Sequence, residues 1–143
     1  MSVSKRVDYA GCARRHFDDA SKLHQSGSHA NAGQLYGFSV ECGLKALLIQ
    51  SGTPADKEGS IVGEFREHLP RLAQIITEMT TLPDGRSAST LLAGVPHLGR
   101  MHDWKVEHRY WKLSALPRQS LPNWAAAAQE MVRHLDIVKQ GAL

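Results

Sequence analysis

The stretch LYGFSVECGLKALLI, residues 35–49, carries apolar or small side chains around nearly the whole circumference of a helix. A helix of that kind has to be packed on more than one side, so residues 28–50 are predicted to form a central helix with other elements arranged around it. Gly37 and Gly43 cost about 1 kcal/mol each against alanine in a helix interior. The expected compensation is close approach of a neighbouring helix. Glu41 and Lys45 stand at i and i+4 in the favourable order. On an open helix they would form a solvated pair. The apolar surroundings favour a pair held inside the bundle, because a buried charge must be paired or face a cavity.

The rest of the chain repeats the helical period. In residues 6–25, Ala10, Ala13, Phe17, Ala20 and His24 share one face, with Asp18, Asp19 and Lys22 on the wet side. Gly27 is the predicted stop. Residues 51–65, rich in Gly, Pro, Ser and Asp, read as a loop. A third helix is expected to bury Leu69, Leu72, Ile75, Ile76 and Met79. LPDGRS is a turn sequence, and ASTLLAGV a short helix ending near Pro96. Residues 98–113 are predicted as a further helix. The last helix starts near Pro122, a residue suited to the first helical turn, and Trp124, Ala128, Met131, Leu135 and Val138 form its amphipathic stripe. No alternating strand pattern competes. The expected fold is all-α, an up-and-down bundle of four to five helices in one domain over residues 1–143.

Length and composition agree with a single soluble domain: 143 residues, 42% hydrophobic and 22% charged. The net charge of +3 and a pI near 9.0 are compatible with nucleic acid without being diagnostic. Two cysteines, Cys12 and Cys42, with no C-x-x-C argue against a disulfide scaffold and fit a reducing, cytoplasmic setting. No signal-peptide pattern and no membrane-length apolar run are visible, so no membrane association is expected.

Chemical motifs are sparse. Of the eight histidines, no two lie three or four residues apart. The paired helical ligands of H-E-x-x-H or E-x-x-H sites are therefore missing, and neither a metal site nor a cofactor is expected. There is no G-x-S-x-G elbow and no phosphate-binding G-x-x-x-x-G-K-[ST]. Cys42, mid-helix among apolar neighbours, reads as a small buried hydrophobe. The densest cluster is HDWKVEHRYW, residues 102–111. On a continuous helix Trp104, His108 and Trp111 would share a face at i, i+4 and i+7, and packing of that face into the bundle is favoured over a ligand role. Basic residues interleaved with aromatics are also what single-stranded nucleic-acid surfaces use.

Three segments in this order resemble HEPN-domain proteins. ANAGQLYGFSVECGLKALLI resembles their second helix, REHLPRLAQI the start of their third, and DWKVEHRYW the Trp-x-x-x-x-Arg-Tyr segment of their fourth, so that the likeness spans residues 30–111. The resemblance implies a helical bundle, often a homodimer. Many such proteins are metal-independent ribonucleases of toxin–antitoxin and defence systems, and others bind nucleotides or partner proteins without catalysis. The ribonucleases carry Arg, four to six residues, then His: Arg stabilises phosphate charge while His transfers a proton. Here no arginine has a histidine at that spacing. After Arg109 those positions are Ser114, Ala115 and Leu116, and Arg100 to His108 leaves seven residues between. On a continuous helix the extra residue rotates His108 by about 100°.

The leading expectation is therefore a HEPN-like module without the standard ribonuclease motif, binding RNA, a nucleotide or a protein. Glu41, Lys45, His68, Trp104 and Arg109 match the resemblance and are the candidate binding residues. One alternative is a divergent ribonuclease using Arg100 or Arg109 with His102 or His108. Another is a helical antitoxin or immunity-type protein whose last-helix stripe binds a partner.

Overall fold

The computed structural model describes residues 5–85 and 88–139. Among them are five α-helices and no strand: α1 Tyr9–Gln25, α2 His29–Gln50, α3 Arg71–Thr77, α4 Ala88–Ala93 and α5 Leu121–Lys139. The protein is all-α, and none of these helices is long and apolar enough to cross a membrane.

Asp8 starts α1 by accepting the Gly11 N–H at 2.9 Å, which satisfies one of the free donors of the first turn. A tight turn at Gly27, with φ of 88°, reverses the chain into α2. Helices α1 and α2 run antiparallel: His24 meets Tyr36 at 2.9 Å, and the Ser39 hydroxyl donates to the Ala13 carbonyl at 2.7 Å. Helix α5 lies parallel to α2, since Trp124 reaches Gly33 and Met131 reaches Gly43. Arg14 on α1 pairs with Asp136 on α5 at 2.7 Å. The expected central position of α2 holds: Tyr36, Val40, Leu44, Leu47 and Leu48 are all buried. The stripe of α5 is inside as well, with Trp124, Ala128, Met131 and Leu135 buried and Val138 packed at its margin.

The two costly glycines are explained by contact. A Cβ on Gly37 would lie 1.9 Å from the Trp104 indole, and one on Gly43 would lie 2.2 Å from Met131 Cγ. The neighbour at Gly43 is a helix, as expected. At Gly37 it is a single tryptophan ring from an irregular segment.

That segment is the main departure from expectation. Residues 98–113 are not a helix. They form short 3-10 turns at Leu98–Asp103 and Val106–Tyr110, with another at Leu113–Ala115, and Trp104, Lys105, Trp111 and Lys112 between them are extended. The shared face at i, i+4 and i+7 therefore does not exist: Trp104 is fully buried while Trp111 is 41% exposed. The reason is tertiary. Trp104 turns inward, and its indole N–H donates to the Gly33 carbonyl at 3.0 Å. Gln34 donates from its side chain to the Val106 carbonyl at 3.1 Å. A short run of aromatic, β-branched and Asp/His residues has little helix propensity to set against such contacts.

Helix α3 is also shorter than expected. Leu69 precedes it and Met79 follows it, while Leu72 and Ile76 are buried. Pro70 stands at its start, where a ring without an N–H blocks extension backwards. In the PDG turn, Gly85 has φ of 89° and donates to Leu82, as the sequence predicts. Arg86 and Ser87, the last residues of that expected turn, lie outside the described residues. The 51–65 connection closes on itself through Asp56, which accepts from the Glu58 and Ser60 N–H groups.

Candidate functional site

Three carboxylates pin the irregular 51–120 connection to the long helices. Glu41 on α2 is buried and accepts from His68 Nδ1 at 3.0 Å and from the Leu69 N–H at 3.1 Å, with Lys45 Nζ 3.7 Å away. Glu130 on α5 does the same for His97, taking its backbone N–H at 2.8 Å and its Nδ1 at 2.5 Å. Asp103 works in the opposite direction, from the connection to α5: it accepts from the Trp124 indole at 3.0 Å and from the Ser120 hydroxyl. Each carboxylate has its charge-assisted partners. The internal Glu41–Lys45 pair expected from the apolar surroundings is present, extended by His68.

Between these anchors the connection pushes aromatic side chains into solvent. Tyr110 is 76% exposed and Leu113 69%, and Trp111 stands beside them. Cations lie over both rings: the Arg109 guanidinium is 4.8 Å from the Tyr110 ring centre and Lys105 Nζ is 5.8 Å from that of Trp111. Both fall in the range of cation–π attraction. Lys112 is exposed beside them. Over residues 100–118 five Lys and Arg stand against two acids, Asp103 and Glu107, and Asp103 is engaged inside. The outer face of this segment is therefore basic.

Two recesses flank Trp111. On one side a groove is lined by His68, Arg71, Lys105, Glu107 and Trp111. A carboxylate only accepts hydrogen bonds, so Glu41 takes the proton of His68 Nδ1 and orients the ring. On the other side is a cavity of about 170 Å³ at the start of α2 and α5. Leu113, Leu116, Pro117, Leu121 and Trp124 form its apolar wall, and His29, Gln34, His108 and Arg118 bring polar atoms to it. His108 is 6% exposed and is sandwiched between Trp111, at 4.7 Å, and Trp124, at 5.8 Å between ring centres. Among the described residues nothing hydrogen-bonds its imidazole. Burial, with Lys105 adding to it, holds His108 below the ordinary histidine range despite nearby Asp103 and Glu107.

The sequence-based candidates fall into separate groups. Glu41, Lys45 and His68 come together. Trp104 is a core residue under α2. Arg109 lies out on Tyr110 and lines neither of these two recesses. Arg100 and His102 are exposed, with His102 turned back to the Gly99 carbonyl at 3.1 Å. His108, by contrast, is buried in the cavity wall. Of the residues named for the ribonuclease alternative, Arg100, His102 and Arg109 are thus on the surface and His108 alone is inside. Cys42 is part-buried, and burial, with Glu41 and Cys12 nearby, pushes its thiol up to about 12, an inert state. No group of three or more His, Cys, Asp or Glu among the described residues is arranged to hold a metal.

Sequence reasoning missed His29, Gln34 and Arg118, and also the exposure of Tyr110. The first three meet only because α2 and α5 begin at the same end of the bundle. The two starts were legible, at Gly27 and Pro122, but their adjacency was not. Comparison with protein-family models, with curated proteins and with solved structures finds no match for this chain.

Proposed function

We propose that this is a HEPN-like helical module that binds single-stranded RNA on the face formed by Lys105, Arg109, Tyr110, Trp111, Lys112 and Leu113. One observation carries the reading: two neighbouring aromatic rings are exposed, each with a cation over it, on a basic stretch of the surface. Base stacking on such rings contributes about 1–3 kcal/mol per base and tolerates any sequence. The cations supply the salt-dependent phosphate term. The dimer and the defence-type setting implied by the resemblance belong to the same proposal, and light scattering on the purified chain reads the dimer.

Fluorescence anisotropy with a labelled oligouridylate tests the binding. Tyr110→Ala should weaken it about fivefold or more, and affinity should fall steeply with added salt. Equal affinity for wild type and variant, or binding indifferent to salt, would sink the reading.

A second reading, cleavage of the bound strand, is favoured by His68. Glu41 orients its ring through Nδ1, and its groove shares Trp111 with the platform. Metal-free RNA hydrolysis that disappears in His68→Ala would establish it, and intact RNA after prolonged incubation would remove it.

A further inference from the structure

The cavity on the inner side of Trp111 has features that packing alone does not explain. Helix α2 begins at Ser28 with no side-chain cap. The first backbone bond back into this helix is from Ala32 to the Ser28 carbonyl, and no acceptor among the described residues takes the N–H groups of His29, Ala30 and Asn31. These are the free donors of a helix of 22 residues, at the positive end of its dipole. The second observation is independent of the helix. His108, 6% exposed as a residue, lines the same cavity, and no hydrogen bond to its imidazole occurs among the described residues. A polar group this enclosed ordinarily has a partner or a route to water, and the His108 ring nitrogens are not wholly sealed from solvent. The ring is held between two tryptophans with an open cavity beside it. Arg118 adds a guanidinium at the rim, and no carboxylate is among the lining residues. The opposite wall, with Leu116 and Trp124, is apolar.

We infer that this cavity is a binding site for a phosphomonoester, specifically the terminal phosphate of a nucleic-acid strand or the phosphate of a free mononucleotide. Backbone N–H groups at a helix start, a guanidinium and an imidazole together supply the several convergent donors that a tetrahedral dianion accepts. The apolar wall takes the attached sugar or base. Leu113 belongs both to the exposed aromatic face and to the cavity lining, so a strand lying on that face can end in the cavity. In its strand-end form the inference rests on the RNA-binding reading; in its mononucleotide form it does not.

Anisotropy with otherwise identical strands of about eight nucleotides, a length within single-strand site sizes, tests it. The strands carry a 5′-phosphate, a 3′-phosphate or hydroxyls at both ends, with the dye placed on the base farthest from the phosphate. Calorimetric titrations with AMP and with inorganic phosphate run alongside. The phosphorylated strand of the preferred polarity should bind about tenfold tighter than the hydroxyl strand, as charge-assisted bonds to one terminal group imply. That ratio should fall towards one in Arg118→Ala and in His108→Gln. Taking the ratio removes any common loss of strand affinity, and exposed Arg118 provides a variant that does not disturb the core. Equal affinity for all three strands, with no binding of AMP, overturns the inference and leaves the aromatic platform standing. AMP binding that depends on Arg118, with no strand bound at all, supports the cavity as a mononucleotide site and removes the platform reading. Absence of every kind of binding overturns both.

Discussion

Replacing Gly37 by alanine separates tertiary contact from helix propensity by the sign of its effect. On an open helix the change would stabilise the protein by about 1 kcal/mol. Here the new methyl would lie 1.9 Å from Cε2 and 2.1 Å from Nε1 of Trp104, closer than any real contact. The ring has little room to retreat. It is fully buried, its N–H is bonded to the Gly33 carbonyl at 3.0 Å, and its edge-to-face contact with Phe38 is at 5.5 Å between centres. Overpacking a filled core costs about 1–3 kcal/mol, and losing the indole hydrogen bond costs about 1 kcal/mol more. Subtracting the propensity gain leaves a net destabilisation of about 1–3 kcal/mol. Urea unfolding followed by far-UV circular dichroism measures it as a lower midpoint with an unchanged slope. Gly99→Ala is the control: nothing lies within 4 Å of its added Cβ, so it should change stability by no more than about 0.5 kcal/mol. A midpoint for Gly37→Ala equal to or above wild type would refute the placement of Trp104.

Two further outcomes concern the anchors and the buried histidines. Glu41→Ala leaves His68 Nδ1, the Leu69 N–H and Lys45 without their common acceptor, and should lower stability by roughly 3 kcal/mol in the same unfolding assay; a loss under about 1 kcal/mol would mean the carboxylate is not the anchor described. His16 and His108 are both held below the ordinary histidine value of 6.5, in each case chiefly by burial. Arg15, Asp19 and Glu41 act on His16, and Asp103, Lys105 and Glu107 on His108. The unfolded chain therefore binds more protons through this window, and stability should be fully present above about pH 6.5 and fall as the pH drops towards the folded-state values. The unfolding midpoint should be lower at about pH 5.5 than at pH 7.5, with a smaller difference in His108→Gln; a midpoint that rises on acidification would contradict the burial of these two side chains.

Much of the architecture was legible in the chain itself. Helical periodicity without any competing alternation made it all-α. The all-round apolar surface of α2 identified the central helix, and Gly37 and Gly43 announced close contacts before their partners were known. The Trp124-to-Val138 stripe placed the inner face of α5. These inferences succeed because they rest on local period and on the free energy of burying apolar surface, both written along the sequence.

Residues 98–113 show where that ends. Their spacing suits a helix, yet Trp104 gains more from the groove over Gly33 and Gly37, and Asp103 from Trp124 and Ser120, than the backbone gains from a regular ladder. Those partners lie 17 or more residues away, beyond the reach of any periodic reading. The consequence for function is direct. Breaking that helix put Tyr110 and Trp111 in solvent and His108 inside, and it laid Arg109 over the Tyr110 ring. The cavity is likewise a product of tertiary structure alone: the starts of α2 and α5 are about ninety residues apart in the chain and adjacent in space only because the two helices pack in parallel.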